Sequence, residues 1–408
     1  MNEAAVNESA IPVKPAGARP RVDSIDVLRG LVMVIMALDH VRDFMSRDAL
    51  LFDPTDLTQT RASIFLTRWI THFCAPVFCF LAGTGIFLSF TRGKSRSDVA
   101  RFLVSRGLWL VFLELTVVQF SWLFHVDVHQ FGAATIWSLG WSMVAMAGLI
   151  YLPLWGIAAF GIGMIVVHNA FDRVMPQAFG SFAWLWSVLH VESAIPLGAD
   201  HALYIAYPLV PWIGVMAAGY ALGALMKLEQ QQRRTRLLWL GIGLCVAFVA
   251  LRAANIYGDM RPWTAQTTSL FNILSFLNCT KYPPSLLYLL MTLGPAIVAL
   301  WLFDRKTGAI ARFFIVFGRV PLFYYLLHLY VIHGIAVLLS FLKYGRADWL
   351  FVAPPWDPKT IALYPQGYGL GLAGIYAIWL IVIGLLYPVC RWFAELKQRR
   401  RDVWLSYL

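Results

Sequence analysis

The residues best suited to proton-transfer chemistry lie inside apolar stretches of the sequence. Asp39 and His40 are neighbours near the end of the run RVDSIDVLRGLVMVIMALDHVRDF (21–44), and His72 and His328 interrupt two further apolar runs. An imidazole whose tautomer and basicity are set by a nearby carboxylate is suited to act as a general base toward an amine or a hydroxyl. Because ionisable groups inside an apolar helix are costly to bury, these residues indicate a functional site.

The composition indicates which class of protein holds such a site. Of 408 residues, 59% are hydrophobic and only 13% are charged, whereas a soluble domain carries about a quarter charged residues. We therefore expect an all-α, polytopic integral membrane protein. The net charge of +11 falls mostly in short loops, where it sets topology, so no nucleic-acid partner is expected. The sequence contains no G-x-S-x-G, P-loop or CxxC motif, which excludes the serine-hydrolase, NTPase and thiol-redox classes.

Apolar runs bounded by polar loops predict about ten transmembrane helices in the lipid bilayer. The predicted helices cover residues 25–46, 67–90, 103–124, 134–153, 155–175, 204–226, 236–254, 283–304, 313–339 and 369–392. We assign residues 1–20 to a disordered cytoplasmic tail, 21–393 to one transmembrane domain and 394–408 to a basic cytoplasmic tail.

The basic loops predict the orientation of these helices. Lysine and arginine concentrate in TRGKSRSDVARF (91–102), KLEQQQRRTR (227–236), DRKTGAIAR (304–312) and ELKQRRRD (395–402), which all fall on the same side of the predicted bundle. The positive-inside rule makes this side cytoplasmic. Both termini are therefore expected in the cytoplasm, with the protein in a bacterial inner membrane.

This topology places the intramembrane polar residues at two depths. An inner basic layer contains Arg29, Arg106 and Arg319. A middle-to-outer layer contains Asp39, His40, His72, Glu114, Lys281, His328 and His333. Along the first helix the two layers are about 15 Å apart, at 1.5 Å per residue. The outer-loop segment HVDVHQ (125–130) has the spacing of metal ligands but lacks a third well-placed ligand, so we expect no metal site.

Five segments together resemble a known enzyme family. They are RVDSIDVLRGLVMVIMALDH, RWITHFCAPVFCFLAGTGIFLS, YPLVPWIGVMAAGYALG, NCTKYPPSLLYLLMTLGP and FGRVPLFYYLLHLYVIH. They resemble the bacterial branch of the heparan-alpha-glucosaminide N-acetyltransferase family, part of a wider superfamily of transmembrane acyltransferases. The resemblance extends from about residue 21 to residue 392.

The resemblance implies a donor, an acceptor and a set of residues. Acetyl-CoA would enter from the cytoplasm, and its acetyl group would pass to an amine or hydroxyl of a saccharide-like acceptor outside. Arg29 and Arg319 are then expected to bind the CoA phosphates, since guanidinium groups pair with phosphate in a bidentate way. Lys281, Asn278 and His328 complete the predicted donor-binding set, with Lys281, Asn278 or a backbone N–H stabilising the oxyanion.

The sequence departs from this family at the catalytic histidine. In the family's namesake that histidine follows the first helix, but residues 47–66 here contain none. We therefore predict His40, oriented by Asp39, as the first candidate for the base and His72 as the second. Direct transfer and transfer through an acyl-histidine both stay open, as do the acceptor, the acyl chain and homo-oligomer formation. The alternative function is a proton-coupled transporter, which the lack of half-chain symmetry disfavours.

The predicted orientation can be tested by labelling single cysteines in an otherwise cysteine-free variant. Ser9→Cys, in the N-terminal tail, should stay unlabelled by a membrane-impermeant maleimide in intact cells and react once the cells are permeabilised. Asp200→Cys, in a loop predicted to face outside, should react in both conditions. Labelling of Ser9→Cys in intact cells would overturn the predicted topology.

Overall fold

The computed structural model describes residues 22–90, 93–305, 308–352, 361–400 and 402–408, and it is mostly helical. The helices are α1 (Asp23–Met45), α2 (Arg47–Leu51), α3 (Ala62–Thr71), α4 (Cys74–Phe90), α5 (Arg96–Leu113), α6 (Gln119–Leu123), α7 (Thr135–Leu149), α8 (Leu154–Val167), α9 (Ala183–Leu189), α10 (Leu209–Leu225), α11 (Gln230–Ala254), α12 (Ser269–Leu277), α13 (Leu286–Phe303), α14 (Ala309–Arg319), α15 (Pro321–Tyr344) and α16 (Leu372–Arg399). A π-helical turn joins α5 to α6, and short 3-10 helices lie at His168–Phe171, Pro176–Phe182, Asp348–Phe351 and Val403–Ser406.

Each of the ten predicted spans coincides with one helix or with consecutive helices. Among the described residues, seven helical segments are long and apolar enough to cross a membrane: Ala62–Phe90, Arg96–Leu123, Leu154–Phe171, Gln230–Ala254, Leu286–Phe303, Pro321–Tyr344 and Leu372–Arg399. Of the other three predicted spans, α1 carries charged residues at both ends, and α7 and α10 have only 15 and 17 residues. The chain is thus an integral membrane protein, while the count of ten crossings stays a prediction.

The predicted helical class is confirmed, since the structure is mostly helical, but it also contains a small β-sheet that was not predicted. Strand β1 (Gln130–Ala133) pairs in parallel with β3 (Ala202–Ile205), and β2 (Ser193–Pro196) pairs with β3 in antiparallel orientation. The sheet lies in segments predicted to face outside, where it satisfies backbone groups of long loops. The helix predicted from residue 204 therefore begins only at Leu209, directly after Pro208.

The helix predicted over residues 313–339 is in fact two helices, α14 and α15. They are separated at Val320, whose φ of −130° and ψ of 48° are not helical. A proline disfavours the helical conformation in the residue before it, and Pro321 then opens α15 at a position where its missing N–H costs nothing. Arg319 and His328 consequently lie on different helices, so their relative depth cannot be counted along one helix.

Two glycines bring α1 and α14 into backbone contact. A Cβ added to Gly30 would collide with the carbonyl oxygen of Phe314, and one added to Gly318 would collide with the carbonyl oxygen of Asp26. Only residues without a side chain allow helices to approach this closely. The glycine that follows Arg29 and the glycine that precedes Arg319 therefore belong to a single helix–helix contact.

The C-terminal helix α16 continues past the boundary predicted at residue 393 and ends at Arg399. Beyond it, Leu405 is buried, and the hydroxyl of Tyr407 lies 2.8 Å from that of Ser105 in α5. The end of the chain thus packs against α5. Residues 1–20 lie outside the described part of the chain, and the division into a domain and two tails stays a prediction.

The contact between α1 and α14 predicts a stability difference between two glycine substitutions. Gly318→Ala forces the helices apart and should destabilise the protein by about 1–3 kcal/mol, the usual cost of overpacking. Gly334→Ala in α15 is the matched control, because no atom lies within 4 Å of its added Cβ, and it should be neutral or stabilising by up to about 1 kcal/mol. Thermal unfolding in detergent measures both, and equal melting temperatures would contradict the assigned contact.

Candidate active site

Asp39 lies at the centre of a cluster of charged side chains between α1 and α3. Its carboxylate accepts hydrogen bonds from Nη1 of Arg68 at 2.8 and 2.7 Å and from Oγ1 of Thr71 at 3.0 Å. Nη2 of Arg42, one turn along α1, forms an ion pair with the same carboxylate at 2.9 Å. Both carboxylate oxygens are therefore occupied by partners other than a histidine.

His40 faces a different side of α1 from Asp39. Its Nδ1 lies 3.4 Å from Oδ2 of Asp43, one turn further along the helix, and its ring contacts Trp122 and His328 at centroid distances of 5.1 Å. Consecutive residues of a helix do not face each other, whereas residues three apart do. The prediction that Asp39 orients His40 is therefore wrong, and Asp43 is the carboxylate beside this imidazole.

His328, in α15, is fully buried, and its hydrogen bonding indicates its tautomer. Its Nδ1 donates to the carbonyl oxygen of Tyr324 at 3.1 Å, and a carbonyl oxygen can only accept. In the neutral ring Nε2 then carries the lone pair, and no described residue forms a hydrogen bond with it. Buried polar atoms normally have partners, so this nitrogen beside His40 has unused capacity to accept a hydrogen bond.

His333 has a similar backbone anchor but different neighbours. Its Nδ1 lies 2.9 Å from the carbonyl oxygen of Ser121. Its ring stacks between Phe44 and Phe124, at centroid distances of 4.7 and 3.9 Å. These aromatic contacts give His333 a packing role.

His72 occupies the break between α3 and α4. Pro76, four residues later, has no N–H with which to bond the His72 carbonyl, and that carbonyl instead accepts a hydrogen bond from the Tyr288 hydroxyl at 2.7 Å. The His72 ring lies edge-on to Tyr288 at 5.4 Å and is buried, and its Nδ1 has no partner within the described ranges. The charges of Asp39 and Lys281 both act on this imidazole, so His72 borders the Asp39 cluster.

Lys281 and Asn278 lie in the loop before α13 and have different surroundings. The Asn278 side chain donates to the carbonyl oxygen of Thr55 at 2.9 Å, so its amide N–H is already used to hold two loops together. Lys281 lies over the ring of Tyr282 at 5.0 Å. Burial raises the pKa of Tyr282, but the nearby positive charges of Lys281 and Arg68 lower it by more, and the pKa ends below its ordinary value. Lys281 is thus the better placed of the two to meet a developing negative charge.

The predicted basic layer lies at the opposite end of α1. Arg29 donates to Oδ1 of Asp26 at 3.2 Å and to the carbonyl oxygen of Gly318 at 3.3 Å, which brings it beside Arg319. The charge of Arg29 also acts on Arg106. Nε of Arg319 is buried without a hydrogen-bond partner in the described part of the chain. The charges of Arg29 and Arg106 thus interact, and Arg319 directly follows the glycine that Arg29 contacts.

Glu114, a member of the predicted outer layer, caps a helix. Its Oε2 accepts from the backbone N–H groups of Ile136 and Trp137, at 2.8 and 3.1 Å, in the first turn of α7. A carboxylate at this position satisfies two otherwise unpaired N–H groups and the positive end of the helix dipole. This role explains the buried carboxylate without any catalytic function.

Sequence reasoning missed three charged residues of the site: Arg42, Asp43 and Arg68. The three-residue spacing of Asp39 from Arg42, and of His40 from Asp43, was a visible signal for the first two. Arg68 is separated from Asp39 by 29 residues, and no local pattern connects them.

No group of three or more histidine, cysteine or acidic side chains is arranged to hold a metal ion in the ranges that the structure describes. Within HVDVHQ, Asp127 accepts from the backbone N–H of His129 at 2.7 Å. The His129 ring stacks on His201 at 5.2 Å. These contacts stabilise the loop itself.

One family model matches residues 21–257, more than half of the chain: heparan-alpha-glucosaminide N-acetyltransferase, catalytic. The matched stretch contains Arg29, Asp39, His40 and His72, and it ends before Lys281. This match with the family model confirms the resemblance drawn from the sequence. A comparison with curated proteins gives no match.

The Asp39 cluster predicts a large stability difference between two arginine substitutions. Arg68→Gln removes the principal partner of a mostly buried carboxylate and should destabilise the protein by up to about 3–5 kcal/mol. Arg61→Gln breaks only the pair with Asp48, in which the arginine is 71% exposed, and should cost less than about 1 kcal/mol. Thermal unfolding in detergent distinguishes the two, and a wild-type melting temperature for Arg68→Gln would contradict this account.

Proposed function

The chain belongs to the heparan-alpha-glucosaminide N-acetyltransferase family, and on this basis we propose that it is an acetyl-CoA-dependent membrane acetyltransferase. The acetyl group of cytoplasmic acetyl-CoA passes to an amine or hydroxyl of a saccharide-like acceptor on the outer side of a bacterial inner membrane. Both termini lie in the cytoplasm in this scheme.

The observation that carries the proposal is the presence of two polar sites at the two ends of one helix. Arg29 lies near the start of α1 beside the carbonyl of Gly318, and Asp39 and His40 lie near its other end. Ten residues separate Arg29 from Asp39, or about 15 Å. A donor with an anionic head and a reactive thioester tail requires two such sites, one cationic and one with a proton acceptor.

The donor-binding roles follow from charge and from free hydrogen-bonding capacity. Arg29 and Arg319 bind the phosphates of CoA, because guanidinium groups make strong charge-assisted hydrogen bonds to phosphate. Lys281 stabilises the oxyanion that forms on the thioester carbonyl. Asn278 contributes less, since its amide N–H is engaged with Thr55. His328 lines the position of the thioester, because its Nε2 is free to accept a hydrogen bond.

His40 is the first candidate for the base, and His72 is the second. The His40 side chain is 17% exposed, whereas His72 is only 2% exposed, so an acceptor reaches His40 more readily. A positioned base contributes about 10²–10⁴-fold to the rate. A route through an acyl-histidine uses the same imidazole. A transporter function has no observation in its favour beyond the presence of intramembrane histidines.

Acetyl-CoA binding and transfer test this function together. Acetyl-CoA should raise the melting temperature of the purified protein, since a ligand stabilises the folded state by RT ln(1 + [L]/Kd), and the protein should release CoA thiol when an amino sugar is added. Arg319→Gln should weaken this thermal stabilisation, and His40→Ala should preserve it but lower turnover by about 10²-fold or more.

The control for this test is His201→Ala, an exposed loop histidine that should behave as wild type. A wild-type protein that gains no stability from acetyl-CoA, and releases no thiol with any acceptor, contradicts the proposed function. Full turnover of His40→Ala contradicts only the choice of base and leaves His72 as the alternative.

A further inference from the structure

The side chains that surround His40 come from three helices. On α1, Asp43 lies 3.4 Å from its Nδ1. Arg42, on the same helix, pairs with both Asp43 and Asp39. From α15 the His328 ring approaches at 5.1 Å, and from α6 the Trp122 ring approaches edge-on at the same distance. Asp43 is thus the one carboxylate among the described residues at ion-pair distance from this imidazole.

The two oxygens of Asp43 have separate partners. Oδ1 accepts from Nη2 of Arg42 at 2.7 Å, which holds the carboxylate in place, and Oδ2 faces Nδ1 of His40 at 3.4 Å. Nδ1 has no hydrogen-bond partner among the described residues, and since a carboxylate can only accept, the adjacent Oδ2 favours a proton on Nδ1. The neutral His40 ring then has its lone pair on Nε2, the nitrogen directed away from Asp43.

Asp39 is not available for this task. Arg68, Arg42 and Thr71 occupy its two oxygens at 2.7–3.0 Å. The arginine Arg42 bridges the two acids, since it pairs with Asp39 as well as with Asp43. One aspartate therefore holds α3 against α1, and the other is left to face the imidazole.

We propose that Asp43 is the positioning residue for catalysis, holding the Nδ1 proton of His40 so that Nε2 acts as the base. This inference rests on the proposed function. The acceptor X–H gives its proton to Nε2, and the electron pair of X forms a bond to the thioester carbonyl carbon. The tetrahedral adduct breaks its C–S bond, and the sulfur takes the electron pair and then the proton from Nε2. The products are the acetylated acceptor and CoA thiol, with Asp43 unchanged.

His328 is the neighbour that such a proton transfer must accommodate. Its Nδ1 donates to the Tyr324 carbonyl, and its Nε2 has no hydrogen-bond partner among the described residues. Two positive imidazoles at 5.1 Å would repel each other. A positive charge on His40 during the transfer is stabilised by Asp43, whose other carboxylate oxygen pairs with Arg42.

Asp43→Asn keeps the shape of the side chain and removes its charge. We expect kcat with acetyl-CoA and glucosamine to fall at least about tenfold, while the KM for acetyl-CoA changes less than about twofold. Asp43→Glu should restore part of kcat.

The matched control is Asp48→Asn, which removes a nearby acid paired with exposed Arg61 and should leave kcat unchanged. A wild-type kcat in Asp43→Asn would overturn the assignment of Asp43. If His40→Ala keeps full turnover as well, the choice of His40 falls too. If the wild-type protein neither binds nor uses acetyl-CoA, the proposed function falls together with this inference.

A spectroscopic measurement tests the same inference without relying on activity or on the folding of Asp43→Asn. In ¹⁵N-histidine-labelled wild-type protein, the resonances that disappear in His40→Gln belong to His40. At a pH where the ring is neutral, they should show a protonated Nδ1 and an unprotonated Nε2. The opposite tautomer would overturn the proposal.

Discussion

The ion pairs of Asp39 are the interaction on which the proposed site depends. A carboxylate taken out of water is costly by several kcal/mol unless cations and hydrogen bonds compensate it. Arg68 provides that compensation from α3 and Arg42 from α1 itself. The pair between Arg68 and Asp39 joins α3 to α1 at the end of α1 where His40 lies. Asp39 is fully occupied there, and Asp43, three residues after His40, is the acid that faces the imidazole.

The same helix connects this end of the molecule to the basic end. Gly30 lets α14 approach α1 closely enough for Arg29 to reach the carbonyl of Gly318. A continuous α-helix is rigid over such a length, so the spacing between cations and imidazole is set by residue count. The aspartate–arginine–glycine motif near the start of α1 thus combines a close helix contact with a cationic site, and both depend on the glycine.

Much of this fold was predictable from sequence because its determinants are local. Each of the ten predicted apolar runs coincides with one helix or with consecutive helices, and the family resemblance followed from motifs in five of these runs. Proline explains two of the irregularities, at Val320 and after His72, and both prolines are visible in the sequence. The small sheet was missed, since its strands have only four residues each and β1 pairs with β3 across 72 residues.

The sequence by itself determined which residues are polar inside the bundle and, through helical spacing, that Asp43 rather than Asp39 shares a face with His40. It also determined the helical class and the family, because both are encoded in contiguous stretches. Tertiary structure alone decided which distant groups meet: Arg68 with Asp39, His328 with His40, and Tyr288 with the carbonyl of His72. Such partners are selected when helices pack, because each buried polar group must find compensation from whichever neighbour the packing brings within reach.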